Sequence, residues 1–232
     1  MKPRLCIIVP VLNEGPQLAE RLSALQIFRN RGAHVVVVDG GSHDDSLAIA
    51  REHADLALLA PRGRAAQMNA GAAACPAPVL LFLHADTVLP AQADQLVADA
   101  CRRSIAWGRF DVHIDSDRPL LHWVARLMNL RSRLTGIATG DQAIFMRQEL
   151  FQQVGGFPDL PLMEDIAMST LLNKLSAPVC LRTQVRTSAR RWEKHGAWRT
   201  IWLMWRLRAA YFFGADPAQL AIQYGYRPRD PQ

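Results

Sequence analysis

Four short apolar runs punctuate the first 87 residues, and each stops at a polar loop. Leu5-Cys6-Ile7-Ile8-Val9 is stopped by Pro10, His34 to Val38 by Asp39-Gly40-Gly41-Ser42, and Leu56 to Leu59 by Pro61-Arg62-Gly63-Arg64. The fourth, Val79-Leu80-Leu81-Phe82-Leu83, ends in His84-Ala85-Asp86-Thr87. Short apolar runs bounded by turn residues predict strands buried on both faces. The intervals between them carry helical signals. Leu18, Leu22 and Leu25 repeat at helical spacing through about Phe28, with Pro16 placed to start that helix. Ser42 and Asp45 resemble a capping box for a helix reaching about His53, and an Ala-rich helix runs from about Ala65 to Ala74. This alternation predicts a parallel sheet with right-handed crossovers, a nucleotide-binding half-domain. Open sheets of that kind bind ligands beyond the C-terminal ends of their strands. Asp39, His84 and Asp86 fall there, although turn formation accounts for the last two equally well when they are taken alone.

The pattern continues without a linker or repeat. Pro90 to Arg103 reads as a helix and Ala106 to Ile114 as a strand, and Leu120, Trp123, Val124 and Leu127 share one helical face. Thr139-Gly140-Asp141-Gln142 precedes a strand from Ala143 to Met146, and Gly155-Gly156-Phe157-Pro158 makes a loop. Glu164 and Asp165 fall in the first turn of a helix that continues through Ile166, Thr170 and Lys174. From Ala197 to Phe213 a helix is apolar almost all round. Trp198, Ile201, Trp202, Trp205, Ala209 and Phe212 share one face, Leu203, Met204 and Leu207 the other, and Arg199, Arg206 and Arg208 the flanks. Such a helix is buried in the core or lies in a membrane interface. The expectation is one α/β domain over 1–232, with a mostly parallel twisted sheet, helices on both faces and a C-terminal helical segment. Within it, 1–90 reads as a nucleotide-binding half, 91–195 as an acceptor and catalytic half, and 196–232 as a basic-aromatic helix and tail.

Composition narrows the class. Half of the residues are hydrophobic and 21% charged, which is globular. No run approaches the roughly 18 apolar residues of a membrane span. Cys6, Cys75, Cys101 and Cys180 lie far apart with no metal-binding spacing, and the N-terminus lacks a secretory pattern. Reduced thiols in the cytoplasm are therefore expected, with peripheral attachment at the inner face of the membrane as the option opened by 197–213. The net charge of +6 is uneven: Arg182 to Arg208 holds eight basic residues against Glu193, a local +7 that leaves the remainder at −1. A local basic segment points to a phosphate-bearing ligand or an anionic surface and away from nucleic acid.

Acids at strand ends, an acid at a helix start and a late basic cluster fit a nucleotide-sugar substrate. A diphosphate is commonly held through Mg²⁺ or Mn²⁺ by one or two carboxylates, and Asp86 is a candidate for that role. An inverting displacement needs a carboxylate beside the acceptor hydroxyl. Asp165 qualifies, and a helix N-terminus favours its ionised form, so it is expected to be charged at neutral pH. Arg190 and Arg191 are candidates to offset the charge of the leaving group.

Ile8-Val9-Pro10-Val11-Leu12-Asn13-Glu14, Val38-Asp39-Gly40-Gly41-Ser42, Asn69-Ala70-Gly71, His84-Ala85-Asp86 and Glu164-Asp165, in that order, resemble the family 2 glycosyltransferases. The resemblance implies the GT-A fold and transfer with inversion from a nucleotide sugar, a UDP-sugar being favoured, to an acceptor hydroxyl of unknown identity. It implies that Pro10, Glu14 and Asp39 line the nucleoside pocket, with Asp39 accepting from the base, and that Arg64 reaches the base or diphosphate. Asp86 matches the last acid of the family's D-x-D, while His84 replaces the first, among the nucleotide contacts. Asp165 matches the catalytic base, and Glu164 an acceptor-site or capping residue. Gly140-Asp141-Gln142 resembles the acceptor-facing loop, and His195 is a candidate to complete the metal shell. Arg190 and Arg191 resemble the Q-x-x-R-W motif of processive members, but Ser188 stands in place of Gln, which argues against polymer synthesis. Arg190-Arg191-Trp192-Glu193 is similar to a small stand-alone bacterial subgroup found beside radical-SAM and selenium-related genes. Two other classes are weighed. A sugar-phosphate nucleotidyltransferase carries a Gly-rich basic loop after its first strand, where this chain has the acidic Val11-Leu12-Asn13-Glu14-Gly15, and a non-catalytic binding module would be indifferent to loss of Asp165. A dehydrogenase would need G-x-G-x-x-G at that position.

Overall fold

The computed structural model describes residues 4–15, 17–102 and 107–226. Strands β1 (Cys6–Val11), β2 (His34–Asp39), β3 (Leu56–Leu59) and β4 (Val79–Phe82) are parallel, in the spatial order β3-β2-β1-β4. Their side chains alternate between two cores, as a period of two requires. Ile7, Val9, Val35, Val37 and Leu81 meet α1 (Gln17–Ser23), α2 (Gln26–Arg29) and α3 (Ser46–His53) on one face. Ile8, Val36, Val38, Leu80 and Phe82 meet α4 (Arg64–Ala74) on the other. Gly71 makes the second contact close, because a Cβ there would lie 2.5 Å from Cγ2 of Ile8.

The remaining strands extend the sheet past β4. β5 (Thr87–Val88), β6 (Trp107–Asp115), β7 (Phe145–Arg147) and β8 (Val179–Ser188) complete the order β3-β2-β1-β4-β7-β6-β8-β5. β7 is antiparallel to both neighbours, β6 and β8 run parallel, and β5 is antiparallel to β8. The expected single α/β domain with a mostly parallel sheet and flanking helices is observed. The other helices are α5 (Ala93–Ala100), α6 (Pro119–Thr135), α7 (Gln148–Gln153), α8 (Glu164–Asn173), α9 (Arg190–His195), α10 (Ala197–Phe212) and α11 (Pro217–Tyr224), with one 3₁₀ turn at Gly140–Gln142. No helix among the described residues is long and apolar enough to cross a membrane.

Several local expectations give way to tertiary geometry. Pro10 does not stop β1. Leu83 N donates to Ile8 O on the β4 side and Gly40 N to Val11 O on the β2 side, so Pro10 faces the β4 side, just beyond the end of that strand. Its missing donor costs nothing there. The helix expected through Phe28 breaks after Ser23, yet Leu18, Leu22, Leu25 and Phe28 are all buried. Ser42 caps no helix; its hydroxyl accepts from Asn13 N, and α3 begins at Ser46. The helix expected over 90–103 spans only Ala93–Ala100. Pro16, Arg103 and Ala106 lie outside the described residues. Cys6 and Cys75, expected as free thiols, are joined as a disulfide between β1 and the end of α4, whereas Cys101 and Cys180 are free. Core packing of the whole 197–213 helix is also corrected: Ala197, Thr200 and Leu207 are buried, while Trp198, Trp202, Trp205 and Phe212 point outward.

Candidate active site

A cavity of about 570 Å³ opens beyond the C-terminal ends of β1 and β4. Pro10, Glu14, Arg64, His84, Asp86, Asp141, Arg190, Arg191 and His195, singled out by sequence, all line it. The two strand-end loops hold each other in place. Asn13 Oδ1 accepts from His43 N, and Ser46 Oγ accepts from Glu14 N and Gly15 N. Asn13 has φ 54°, a left-handed conformation that asparagine tolerates better than most residues with a side chain, and these bonds hold it. Glu14 is thereby aimed at Arg190, with which it forms a 3.0 Å ion pair. Asp39 lies at the end of β2, 1% exposed, and does not line the cavity. Its Oδ1 accepts from Gly41 N and Ser42 N at 2.7 Å, while Oδ2 is buried without a partner. An orphan carboxylate oxygen is costly to bury and calls for a donor.

A smaller cavity of about 60 Å³ adjoins the first, sharing Arg64, His84, Asp141, Met204 and Tyr224 as walls. Gly140, Glu164, Asp165 and Arg208 are among its other walls. Met163 precedes α8 at φ 70°, so the chain enters the helix through a strained turn that delivers both acids to the site. Glu164 is 2% exposed and pairs with Arg64 at 2.9 Å. Asp165 Oδ2 accepts from Gly140 N at 2.9 Å and Oδ1 from Ile166 N at 2.7 Å. Withdrawal from water, followed by the charge of Glu164, pushes the Asp165 pKa up to about 6. Arg64 and the two backbone donors oppose that rise without cancelling it. The helix N-terminus therefore does not dominate, although Asp165 remains mostly ionised at neutral pH.

His84 faces Asp141 at 3.3 Å, Nδ1 toward Oδ1. Burial works against the charge on His84, but the Asp141 hydrogen bond and the nearby carboxylates hold its pKa above the ordinary value. Burial likewise works against the Asp141 charge, and His84 keeps its pKa below the usual range. Gly140 permits this pair, since a Cβ there would land on the His84 ring. Gly140→Ala should therefore push His84 off Asp141 and draw the Gly140 N–H from Asp165. We expect a stability loss of about 1–3 kcal/mol, the usual cost of overpacking, read from the urea midpoint. A midpoint equal to wild type would show that the ring moves at no cost.

Three expected roles are revised. Gln142 does not face an acceptor: it is fully buried, accepting from Thr139 N and donating to Asn129 Oδ1. Arg191 lies 3.5 Å over the Tyr224 ring and donates to Tyr224 O, so packing as well as charge fixes it. His195 is exposed on the cavity wall, but no three His, Cys, Asp or Glu side chains among the described residues converge to hold a metal. The donor set thus fits a cation held by Asp86 together with substrate phosphates, and does not fit a preformed protein cage.

The profile of glycosyl transferase family 2 matches residues 6–154, well over half of the chain. The chain belongs to glycosyl transferase family 2. It is 30% identical over 154 residues to the undecaprenyl-phosphate 4-deoxy-4-formamido-L-arabinose transferase of Pseudomonas savastanoi pv. phaseolicola (strain 1448A / Race 6). That overlap takes in 61% of this chain and 45% of the relative, so the chain spans less than half of that protein. Its fold is similar to that of the mannosyltransferase PcManGT from Pyrobaculum calidifontis, solved with GDP-Man and Mn²⁺ (TM-score 0.66, 22% identity, all of this chain and 66% of that one). It is also similar to residues 1–349 of S. aureus TarS with UDP-GlcNAc, at TM-score 0.63 and 18% identity over 81% of this chain and 58% of that one. These likenesses establish the GT-A architecture.

Within that family 2 framework, some of the quoted motif residues have structural work. Asn69 clamps the Gly155–Phe157 loop through both ends of its side-chain amide, Nδ2 donating to Phe157 O and Oδ1 accepting from Phe157 N at 2.9 Å each. Gln67, absent from the sequence candidates, donates to Val11 O and Val38 O and so satisfies the strand ends beside the cavity. Trp192, Met204, Tyr224 and Tyr226 also line the cavity. Trp192 stands in the quoted Arg190-Arg191-Trp192-Glu193 segment, and the Tyr-Gly-Tyr of 224–226 is a further sequence signal.

Proposed function

We propose that this family 2 protein transfers one glycosyl unit from a nucleoside-diphosphate sugar, preferably a UDP-sugar, to an acceptor hydroxyl with inversion. The observation that carries the reading is Asp165, a carboxylate with a pKa near 6 in the wall of a small cavity that adjoins one large enough for a nucleotide. In the step, the acceptor oxygen forms a bond to the anomeric carbon as the bond from that carbon to the diphosphate oxygen breaks. The acceptor proton passes to Asp165, and the electron pair leaves with the diphosphate. Arg190 and Arg191 face the developing negative charge. Asp86 would hold a divalent cation, Mg²⁺ or Mn²⁺, which supplies further positive charge to the diphosphate. The unpartnered Asp39 Oδ2 matches a nucleobase N–H, which supports the nucleoside assignment of Pro10, Glu14 and Asp39. His84, in an ion pair with Asp141, replaces a metal-site acid by a second cation. Gly140, Asp141 and Glu164 frame the acceptor side. Arg190-Arg191-Trp192-Glu193 supports membership of the radical-SAM-associated subgroup, and the basic helix supports contact with an anionic membrane.

Thermal shift with UDP-, GDP- and dTDP-sugars, with and without Mn²⁺, tests this. A ligand at 100 times its dissociation constant should add about 2.7 kcal/mol. Asp86→Asn should abolish the increment due to Mn²⁺ while keeping part of the nucleotide response. If no nucleotide sugar moves the melting temperature, the donor assignment fails.

A further inference from the structure

α6 and α10 have the same unusual construction. Each presses one face onto a shared cluster, Leu121 and Ala125 from α6 with Ala197, Ile201 and Met204 from α10. Each turns an apolar stripe outward, Trp123, Leu127, Leu130 and Leu134 on α6 and Trp198, Trp202, Trp205 and Phe212 on α10. The spacings are helical, and every one of these residues is at least 52% exposed. Soluble surfaces carry scattered apolar side chains, but contiguous stripes mark an interaction site.

The charges of the same helices identify the partner. Exposed arginines flank the stripes, Arg126 on α6 and Arg199 and Arg206 on α10, with no Asp or Glu in either helix. Arg126 lies over Trp123 and Arg206 over Trp202, at 5.4 and 5.3 Å from the ring centroids. Tryptophan with arginine is the pairing of a water–lipid boundary, where the ring enters the apolar layer and the guanidinium stays among phosphates. A second copy of this face would bring like charges together, whereas an anionic bilayer complements them. We propose that α6 and α10 form one docking face that seats the protein on an anionic lipid surface, with the aromatic and leucine stripes entering the interface. Met128 of α6 and Met204 of α10 line the large cavity, so the docked helices would roof the site. The docking itself stands apart from the transfer reaction.

The test is sedimentation of the full chain with phosphatidylglycerol–phosphatidylcholine vesicles against phosphatidylcholine alone. Wild type should sediment with the anionic vesicles at low salt and largely lose them near 1 M, where screening shortens to about 3 Å. Trp202→Glu with Trp205→Glu, and separately Leu127→Glu with Leu130→Glu, should each lower partitioning about tenfold or more, with the unfolding midpoint measured without nucleotide as the folding control. Because wild type needs no variant, a blue shift of its tryptophan emission and protection from acrylamide on adding vesicles give an independent reading. No sedimentation at low salt, equal binding to neutral vesicles, or wild-type partitioning by the Leu127–Leu130 variant would overturn the shared face. So would self-association abolished by these substitutions with vesicle binding unchanged, which would make the partner a second copy.

Discussion

Asp165→Asn should lower turnover by about 10² or more while raising the melting temperature at pH 8. The loss follows from the role: an amide keeps the shape of the side chain but takes no proton from the acceptor. The gain follows from the electrostatics. The folded-state pKa of Asp165 is about 6, against an ordinary 3.8, so the folded protein binds the proton more tightly than the unfolded chain. That contribution to stability is fully present below about pH 4 and is lost as pH rises through about 6, leaving an ionised group whose burial costs up to about 3 kcal/mol. Asparagine removes that charge cost but has a single acceptor oxygen for the Gly140 and Ile166 N–H groups, so the gain is smaller than the full cost, a trade of stability against function. In wild type, kcat/KM should fall below about pH 6 as the base is protonated. Glu164→Gln removes the neighbouring negative charge and should move that acidic limb to lower pH. Turnover kept by Asp165→Asn, or an acidic limb unmoved by Glu164→Gln, would exclude this assignment of the base.

Asp111→Ala should be the most destabilising single change in the chain, at about 3–5 kcal/mol. Asp111 on β6 joins two cations, the fully buried Arg109 and the Arg133 that reaches over from α6. Arg109 also donates to Asn129 O, and Asn129 bonds both Val112 N and Val112 O, so α6 is tied to β6 through one network. Removing the acid leaves two facing cations, one of them wholly inside the core, and an unpaired buried charge costs more than the pair gains. Against a total stability of about 5–15 kcal/mol this is a large share. The urea midpoint should fall sharply with the slope unchanged. Replacing both members, Arg109→Met with Asp111→Leu, should recover much of the loss, because no charge is then stranded. A single-variant loss under about 1 kcal/mol would mean that the network does not fasten α6.

The first half of the fold was legible because β1, β2 and β4 are buried on both faces, which leaves unbroken apolar runs such as Val35 to Val38; β3, also expected to be buried, is an edge strand with Leu59 exposed. Of the acids at the ends of those runs, Asp86 lines the cavity, while Asp39 is 1% exposed at the end of β2 and does not. β8 gave no such signal. It lies on the far side of the sheet with Arg182, Gln184 and Arg186 facing water, and its register with β6 shifts at Phe110/Asp111, so neither an apolar run nor strict alternation marks it.

What the sequence by itself determined is therefore local: which segments are apolar, their period, and which polar residues terminate them. What only the tertiary structure decided is how separated groups meet. Glu164 finds Arg64 and Glu14 finds Arg190, each across many intervening residues, and the charge state of Asp165 follows from that company. Gln142 sits in a motif that suggested ligand contact, yet its neighbours bury it. The helix at 197–213 shows the limit most plainly. Its periodicity defines two apolar faces, and nothing local distinguishes the one that meets the protein. Packing against Leu121 and Ala125 of α6 makes that choice and leaves the tryptophans outside.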